Sequence, residues 1–203
     1  MIETADRIES PWAGGVSPFA MGWQKLMMWF FIVGDALLFA GFLAGYGFVR
    51  IASPSWPVPA EVFHLPLITL MTFILVSSGA TMAAAVEAGC RGRWNTAVKL
   101  LILTVLAGAA FLGMQAYEWK ELIHKGAALS SNPWGVPAFG ASFFLITGFH
   151  GTHVLIGVLL LAIVAYRSAK RKTLPEGLEV AGLYWAFIDL VWVFIFPLFY
   201  LIR

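Results

Sequence analysis

Five long runs of apolar residues, separated by short polar segments, set the pattern of this 203-residue sequence. A helix needs about 20 apolar residues to cross a hydrocarbon core about 30 Å thick, and each run is at least that long. The runs lack the alternation of apolar and polar residues that a membrane β-barrel needs. We therefore predict an all-α polytopic membrane bundle of five transmembrane helices, over about residues 24–48, 63–86, 96–117, 139–166 and 179–201.

Positive charge predicts the orientation of these helices. Five spans put the termini on opposite sides, and cytoplasmic loops carry the excess of Lys and Arg. The side of the N-terminus holds nine basic residues, namely Arg7, Lys25, Arg91, Arg93, Lys99, Arg167, Lys170, Arg171 and Lys172. The other side holds four, namely Arg50, Lys120, Lys125 and Arg203. The sequence thus predicts a cytoplasmic tail over residues 1–23 and a five-helix domain over 24–203 whose C-terminus lies outside.

Composition narrows the class of protein further. Sixty per cent of the residues are hydrophobic and only 12% are charged, and a soluble domain of this size cannot bury that much apolar surface. No basic patch is dense enough to indicate nucleic-acid binding. The single cysteine, Cys90, excludes a disulfide framework within the chain.

Small and aromatic residues recur at positions that indicate helix packing and membrane interfaces. Small residues four apart let helix backbones approach closely in lipid. They occur as Gly41/Gly45, with Gly34 on the same stripe, and as Gly79/Ala83 and Ala109/Gly113. Aromatic residues near the helix ends are expected to form interfacial belts. These are Tyr46, Trp56, Tyr117, Trp119, Trp134, Tyr166, Tyr184 and Tyr200.

Three polar side chains lie deep inside the apolar runs. Asp35, His150 and Asp189 are each about ten residues from a helix end, which places them about 15 Å deep on three different helices. A charged Asp at a helix centre costs about 2.5–3.5 kcal/mol, so such a residue usually meets a partner. We predict a buried polar layer at mid-membrane in which these groups hydrogen-bond.

Each of the two acids has a functional and a structural interpretation. Asp35 lies among apolar neighbours and either handles a proton, contacts lipid, or makes a structural hydrogen bond to a neighbouring helix. Asp189 shares a helix face with Trp185 and Trp192. A structural bond from one of these indole N–H groups is the favoured interpretation for Asp189.

Two histidines, His150 and His153, are three residues apart on one helix, a spacing that can hold a metal ion. One helix cannot supply both of the opposite axial ligands of a haem, and the other two histidines, His64 and His124, lie near the outer helix ends. We therefore expect the two histidines to hydrogen-bond within the polar layer. No metal or cofactor is expected in this chain.

Two acids, Glu118 and Glu121, follow the third predicted helix, and Gln115 precedes Glu118 by three residues. A solvated helix end beside Lys120 and Lys125 is the simplest interpretation of this segment. It suits Glu121 better than Glu118.

Four segments resemble the family of haem–copper oxidase subunit III, in the same order along the chain. Residues 29–42 are similar to its first shared helix. Residues 144–157, which contain TGFHGTHV, look like its most specific segment. Residues 184–192 resemble its last helix, and Gln115 with Glu118 matches its Gln-x-x-Glu. The resemblance covers roughly residues 24–201, and the length resembles the short bacterial form with five helices.

The resemblance implies an accessory core subunit of a bacterial terminal oxidase that reduces O₂ to water. Such a subunit would lie in the inner membrane, with its C-terminus in the periplasm, and support proton uptake and catalytic endurance. Haem and copper would belong to subunit I. The implied partners are subunit I, subunit II, phospholipids and a respiratory supercomplex, and the electron donor is cytochrome c or quinol. The candidate proton- or lipid-contacting residues are Asp35, His150, His153, Glu118 and Asp189, none of them catalytic.

Two positions depart from the family pattern, and other functions stay open. The family usually has Glu where this chain has Asp35, so the acidic side chain here is one methylene shorter. The family usually has His where this chain has Ala186, so one polar group is missing here. The alternatives are a related protein that accompanies nitric oxide reductase, a small proton-coupled transporter, and a haem-carrying membrane subunit.

Overall fold

The computed structural model describes residues 22–202, and these residues fold into helices with no strand among them. The helices are α1 (Trp23–Ala52), the one-turn α2 (Pro59–Val62), α3 (Leu65–Cys90), α4 (Trp94–His124), α5 (Pro137–Ala169) and α6 (Pro175–Phe196). A π-helical turn (Pro197–Leu201) continues α6. Nearly all of the predicted tail lies outside the described residues.

The prediction of five membrane-crossing helices is confirmed, because α1, α3, α4, α5 and α6 with its π-turn are each long and apolar enough to span a bilayer. All five are longer than predicted. Hydropathy marks the apolar part of a helix, whereas backbone hydrogen bonding continues through its polar ends. The largest difference is in α4, which ends at His124, so Glu118 and Glu121 lie inside this helix rather than beyond it.

The four helices α3 to α6 form an antiparallel core, and α1 lies on its edge. α3 packs on α4, α4 on α5, and α6 lies against α3, α5 and α1. Half (50%) of the most apolar window of α6 is buried, against 6% for α1. The end of the bundle where α1 and α6 begin is called here the Lys25 end, and the opposite end is called the Arg50 end.

One tryptophan joins all four core helices. The ring of Trp185 on α6 lies between Gly108 of α4 and Gly157 of α5. A Cβ at Gly108 would lie 2.6 Å from this ring, and a Cβ at Gly157 would lie 3.0 Å from it. The indole N–H donates to the hydroxyl of Ser78 on α3, at 2.9 Å. These two glycines are therefore needed because a large ring occupies the space that a side chain would fill.

The glycine stripe of α1 does not pack as predicted within the described chain. A Cβ at Gly34, Gly41 or Gly45 would meet nothing within 4 Å. The same is true of Gly113, whereas Gly79 does make a close contact, with the carboxyl of Asp189. Small-residue spacing shows that close approach is possible, but it does not show which face of the helix has a neighbour.

The expected aromatic belt is wrong for three of its members. Tyr46, Tyr184 and Tyr200 are each 5% exposed or less, and each hydroxyl makes a hydrogen bond inside the bundle. Proximity to a helix end therefore did not place these rings at the surface, because their hydroxyls found buried partners.

Candidate functional site

The membrane carboxyl of α1 pairs with a histidine of α5. Asp35 Oδ2 lies 3.3 Å from His153 Nε2, and the two side chains are only 11% and 12% exposed. The edge of the Phe39 ring packs against the imidazole, with 5.6 Å between the ring centroids. The Tyr184 hydroxyl donates to the backbone carbonyl of His153 at 3.2 Å. Residues from α1, α5 and α6 therefore enclose one acid–imidazole pair.

The backbone of α5 determines which protons this pair carries. His153 Nδ1 lies 2.9 Å from the carbonyl oxygen of Phe149, which can only accept a hydrogen bond. Nδ1 therefore carries a hydrogen, and Nε2 of a neutral ring presents a lone pair towards Asp35. A favourable contact then needs one more proton, either on the Asp35 carboxyl or on Nε2.

A groove runs along α5 from the turn after His153 to the Lys25 end. Its volume is about 640 Å³, and Gln24 of α1 contributes to its far wall. The α5 wall is aliphatic: Ile156, Leu159, Leu160, Ile163 and Val164. Arg167 and Lys172 lie at its polar end, beside Thr173 and the carboxylate of Glu176. An apolar trough whose polar end holds two cations and one acid keeps a net positive charge there, which fits an acyl chain with an anionic head group.

The second histidine, His150, does not join this pair. It is 1% exposed and lies between the ring of Trp192, stacked at 5.1 Å between centroids, and the edge of Phe111 at 5.9 Å. Neither ring nitrogen has a hydrogen-bond partner among residues 22–202. The expectation that His150 hydrogen-bonds in a polar layer is therefore wrong. His150 was matched with Asp35 because the two lie at a similar depth. The side chain of His150, however, points in a different direction around α5 and does not reach Asp35.

The acid of α6, Asp189, is also without a hydrogen bond in the described part of the chain. The expected indole donors bind elsewhere, since Trp185 donates to Ser78 and Trp192 donates to the hydroxyl of Thr72 at 3.0 Å. Asp189 instead lies against the backbone of α3 at Gly79. The predicted indole–carboxyl bond and the single connected layer are both wrong.

The third acid, Glu118, belongs to a cluster near the Arg50 end. It is 4% exposed, and its Oε2 accepts hydrogen bonds from Gln115 Nε2 at 2.8 Å and from the Tyr200 hydroxyl at 3.1 Å. Glu121 is partly exposed and lies 3.8 Å from Lys125 Nζ, one turn away. Solvation of Glu121 agrees with the sequence, whereas Glu118 is a core residue.

The π-turn that carries Tyr200 is held by α1. Tyr46 donates to the carbonyl of Leu198 at 2.8 Å, and Arg50 donates to the same carbonyl at 3.2 Å and to that of Ile202 at 2.9 Å. A π-turn leaves carbonyls that the regular helix would have used. These two side chains were missed from the sequence, although their spacing of four residues places them on one face of α1.

No cluster of three or more His, Cys, Asp or Glu side chains within the described range is arranged to hold a metal ion. The candidate site is thus an acid–imidazole pair beside a membrane-facing groove, with a separate acid cluster at the Arg50 end.

Comparison with known proteins gives the family. The family model described as "Cytochrome c oxidase subunit III" matches residues 7–202. The chain is 35% identical to quinol oxidase subunit 3 of Bacillus subtilis strain 168, over 87% of this chain and 85% of that protein. It is 34% identical to cytochrome c oxidase subunit 3 of Bacillus sp. strain PS3, over 87% and 84%. It is also 36% identical to cytochrome c oxidase subunit 3 of Corynebacterium diphtheriae, over 85% of each chain. The chain therefore belongs to the cytochrome c oxidase subunit III family.

Proposed function

We propose that this chain is the accessory subunit III of a bacterial haem–copper terminal oxidase, the complex that reduces O₂ to water in the inner membrane. The observation that carries the proposal is the family match across residues 7–202, together with relatives named as subunit 3 of both quinol and cytochrome c oxidases. The partners are subunit I, which would hold haem and copper, and subunit II. The electron donor would bind to those subunits.

The first contribution of this chain is to hold phospholipid. The groove along α5 joins an aliphatic wall to the cations of Arg167 and Lys172. Next to these cations, Arg171 adopts φ 53° in the left-handed cap that ends α5, where the Lys172 N–H donates to the carbonyl of Arg167 at 2.9 Å. An anionic phospholipid would place its phosphate at the two cations and one acyl chain along α5.

The second contribution is to hold a proton inside the membrane, at the edge of the helix bundle. Asp35 and His153 together need one exchangeable proton to make their contact favourable. Their site is at the edge of the bundle, with the lipid groove beginning three residues along α5. We infer that the pair supports proton uptake and the catalytic endurance of the neighbouring subunit.

Purification of the tagged chain in mild detergent tests the assignment. The expected companions are a haem–copper subunit I and a subunit II, with anionic phospholipid released on denaturation and detected by mass spectrometry. The separated chain should show no Soret absorbance. Recovery with a nitric oxide reductase, or alone with solute transport after reconstitution, would support one of the alternatives instead. The family match and these relatives favour the oxidase.

Replacement of Asp35 tests the proton site in the assembled oxidase. Asp35→Asn should leave the haem spectra unchanged and shorten the working life, or slow proton uptake, by about fivefold, which corresponds to about 1 kcal/mol. His153→Gln should act in the same direction. Asp35→Glu, which restores a carboxyl, should behave like the parent.

Asp189→Asn is the matched control for Asp35→Asn. It makes the same chemical change at a similar depth, but Asp189 has no histidine partner among the described residues. This variant should keep normal endurance. Parental endurance and proton uptake in Asp35→Asn would remove the proton-site proposal while leaving the family assignment intact.

A further inference from the structure

A cavity of about 10 Å³ lies beside Glu118, between α4 and the start of α3. This is about the volume that one water molecule occupies by the same measure. Its apolar lining comes from Val62, Phe63, Leu67, Ile68 and Leu122. Its polar lining comes from Glu118, Glu121, Lys125 and His64. The proposed lipid and proton sites use none of these residues.

Glu118 lines this cavity and carries one oxygen without a partner among the residues described. Its Oε2 accepts two hydrogen bonds, from Gln115 and from Tyr200, while Oε1 has no partner within residues 22–202. The residue is 96% buried, since only 4% of its surface is exposed. A buried carboxyl oxygen without a partner destabilises the fold, because it has lost its hydrogen bonds to water. A polar occupant of the cavity would remove that cost.

The charges around the cavity decide the chemistry of its occupant. Lys125 Nζ lies 3.5 Å from the carbonyl oxygen of Val62 and 3.8 Å from Glu121 Oε1. The ammonium group therefore already supplies positive charge at the mouth, which disfavours a metal cation. A neutral molecule with two hydrogens and two lone pairs fits better, because it can donate to Glu118 Oε1 and accept from Lys125.

We propose that this cavity binds one water molecule, which connects the buried Glu118 carboxyl to the aqueous phase at the Arg50 end. The water donates a proton to Oε1 while it accepts another from solvent past Glu121, Lys125 and His64, and the reverse sequence returns the proton to solvent. All three of these groups line the same cavity. Glu118 is thus a proton-exchange site that opens to the end of the bundle opposite the lipid groove.

Two neighbouring side chains restrict the proton exchange to one oxygen of the Glu118 carboxyl. The Tyr200 hydroxyl and the Gln115 amide bind Oε2, so the path leaves the carboxyl only through Oε1. Direct closure of the cavity by Lys125 is the rival arrangement. In that arrangement Nζ would bond to Oε1 itself and no water would fit.

A structure of the intact oxidase in lipid nanodiscs, at a resolution that shows ordered water, tests the binding site. The expected result is one density peak within hydrogen-bond distance of Glu118 Oε1, with a second contact to Lys125 or Glu121. An empty cavity, or a direct bond from Lys125 to Oε1, would overturn the proposal.

Infrared spectroscopy of the same complex tests the exchange. The Glu118 carboxyl band is assigned by its loss in Glu118→Gln, and its response is followed after a pH jump. Leu67→Phe narrows the cavity and should slow the response about tenfold or more, a rise of about 1.4 kcal/mol in the barrier. Leu70→Phe makes the same change one turn away on an exposed face and should respond like the parent.

A milder variant keeps the test valid if Leu67→Phe prevents assembly. Val62→Ile adds a single methylene to the lining of the cavity and should slow the response in the same direction. An unchanged rate in an assembled Leu67→Phe or Val62→Ile complex would show that the proton reaches Glu118 by another path.

Discussion

α1 and α6 are both long enough to span a bilayer, yet different interactions hold them in the molecule. α6 buries half of its apolar window and carries Trp185, whose ring contacts the other three core helices. α1 buries little and leaves its glycines open. Its attachment includes polar contacts from Lys25 at one end, Asp35 in the middle, and Tyr46 with Arg50 at the other end.

This difference indicates that α6 mainly stabilises the fold, whereas α1 carries polar groups of the candidate site. Close packing around α6 gives the core its shape, because dispersion contacts and small residues determine helix association in lipid. Polar links on α1 are few, and each one has a named partner on α5, on α6 or on the π-turn. A helix attached in this way keeps a face free and holds ionisable groups at fixed depths.

A steric change in the core should have the largest effect. Gly108→Leu places a side chain where the Trp185 ring lies, so the ring or the whole of α4 must move. We expect a loss of about 3 kcal/mol in the free energy of unfolding, the upper end of what overpacking usually costs. Thermal unfolding of the detergent-solubilised protein measures it. Gly41→Leu on α1 is the control and should cost little, and equal losses in the two variants would contradict the comparison.

Removal of the guanidinium of Arg50 should have an intermediate effect. Arg50→Met takes away donors to the carbonyls of Leu198 and Ile202, and leaves Tyr46 as the remaining donor from α1. The π-turn should loosen by about 1–2 kcal/mol. Faster hydrogen exchange of the amides in Pro197–Leu201 would show this. Lys120→Met, at an exposed position of α4, should leave those amides unchanged.

The smallest effect is expected from the ion pair at the Lys25 end. Lys25 Nζ lies 2.6 Å from Glu179 Oε2, but each side chain is 32% exposed, so water and salt screen the pair. Lys25→Met should cost less than about 1 kcal/mol. A loss as large as that of Gly108→Leu would show that polar links dominate throughout the molecule. Lys99→Met gives the baseline for removing a cation from this end.

Much of the fold is predictable because the apolar runs are long. Five helices, their order and their antiparallel arrangement follow from length and hydropathy. The rotation of each helix does not follow, because lipid-facing and protein-facing positions are both apolar. The open face of Gly34, Gly41 and Gly45 is the example. Their spacing predicts close helix packing. Whether a neighbouring helix actually lies against that face depends on the tertiary structure.

The sequence predicted which residues belong to the candidate site, but not which of them contact one another. Asp35 and His153 both stood out as polar residues in apolar runs. Estimated depth alone matched Asp35 with His150. The observed partner of Asp35 is His153, one turn away from His150 on the same helix. Glu118 stood out only weakly, because its partner Tyr200 is 82 residues away and reaches it from a π-turn. Depth can be counted along a sequence, whereas direction and turn type depend on how the helices meet.

The polar attachment of α1 has a consequence for the synthesis and membrane insertion of the protein. Lys25 and its partner Glu179 are 154 residues apart, and Tyr46 is 152 residues from Leu198. At about 5–20 residues per second, the ribosome needs roughly 8–30 s to deliver those partners. During that time the newly made α1 must stay inserted by its own apolar residues, while Asp35 still lacks its histidine. Of the five spanning helices described, α1 is thus made before the other four, and its polar contacts are completed last.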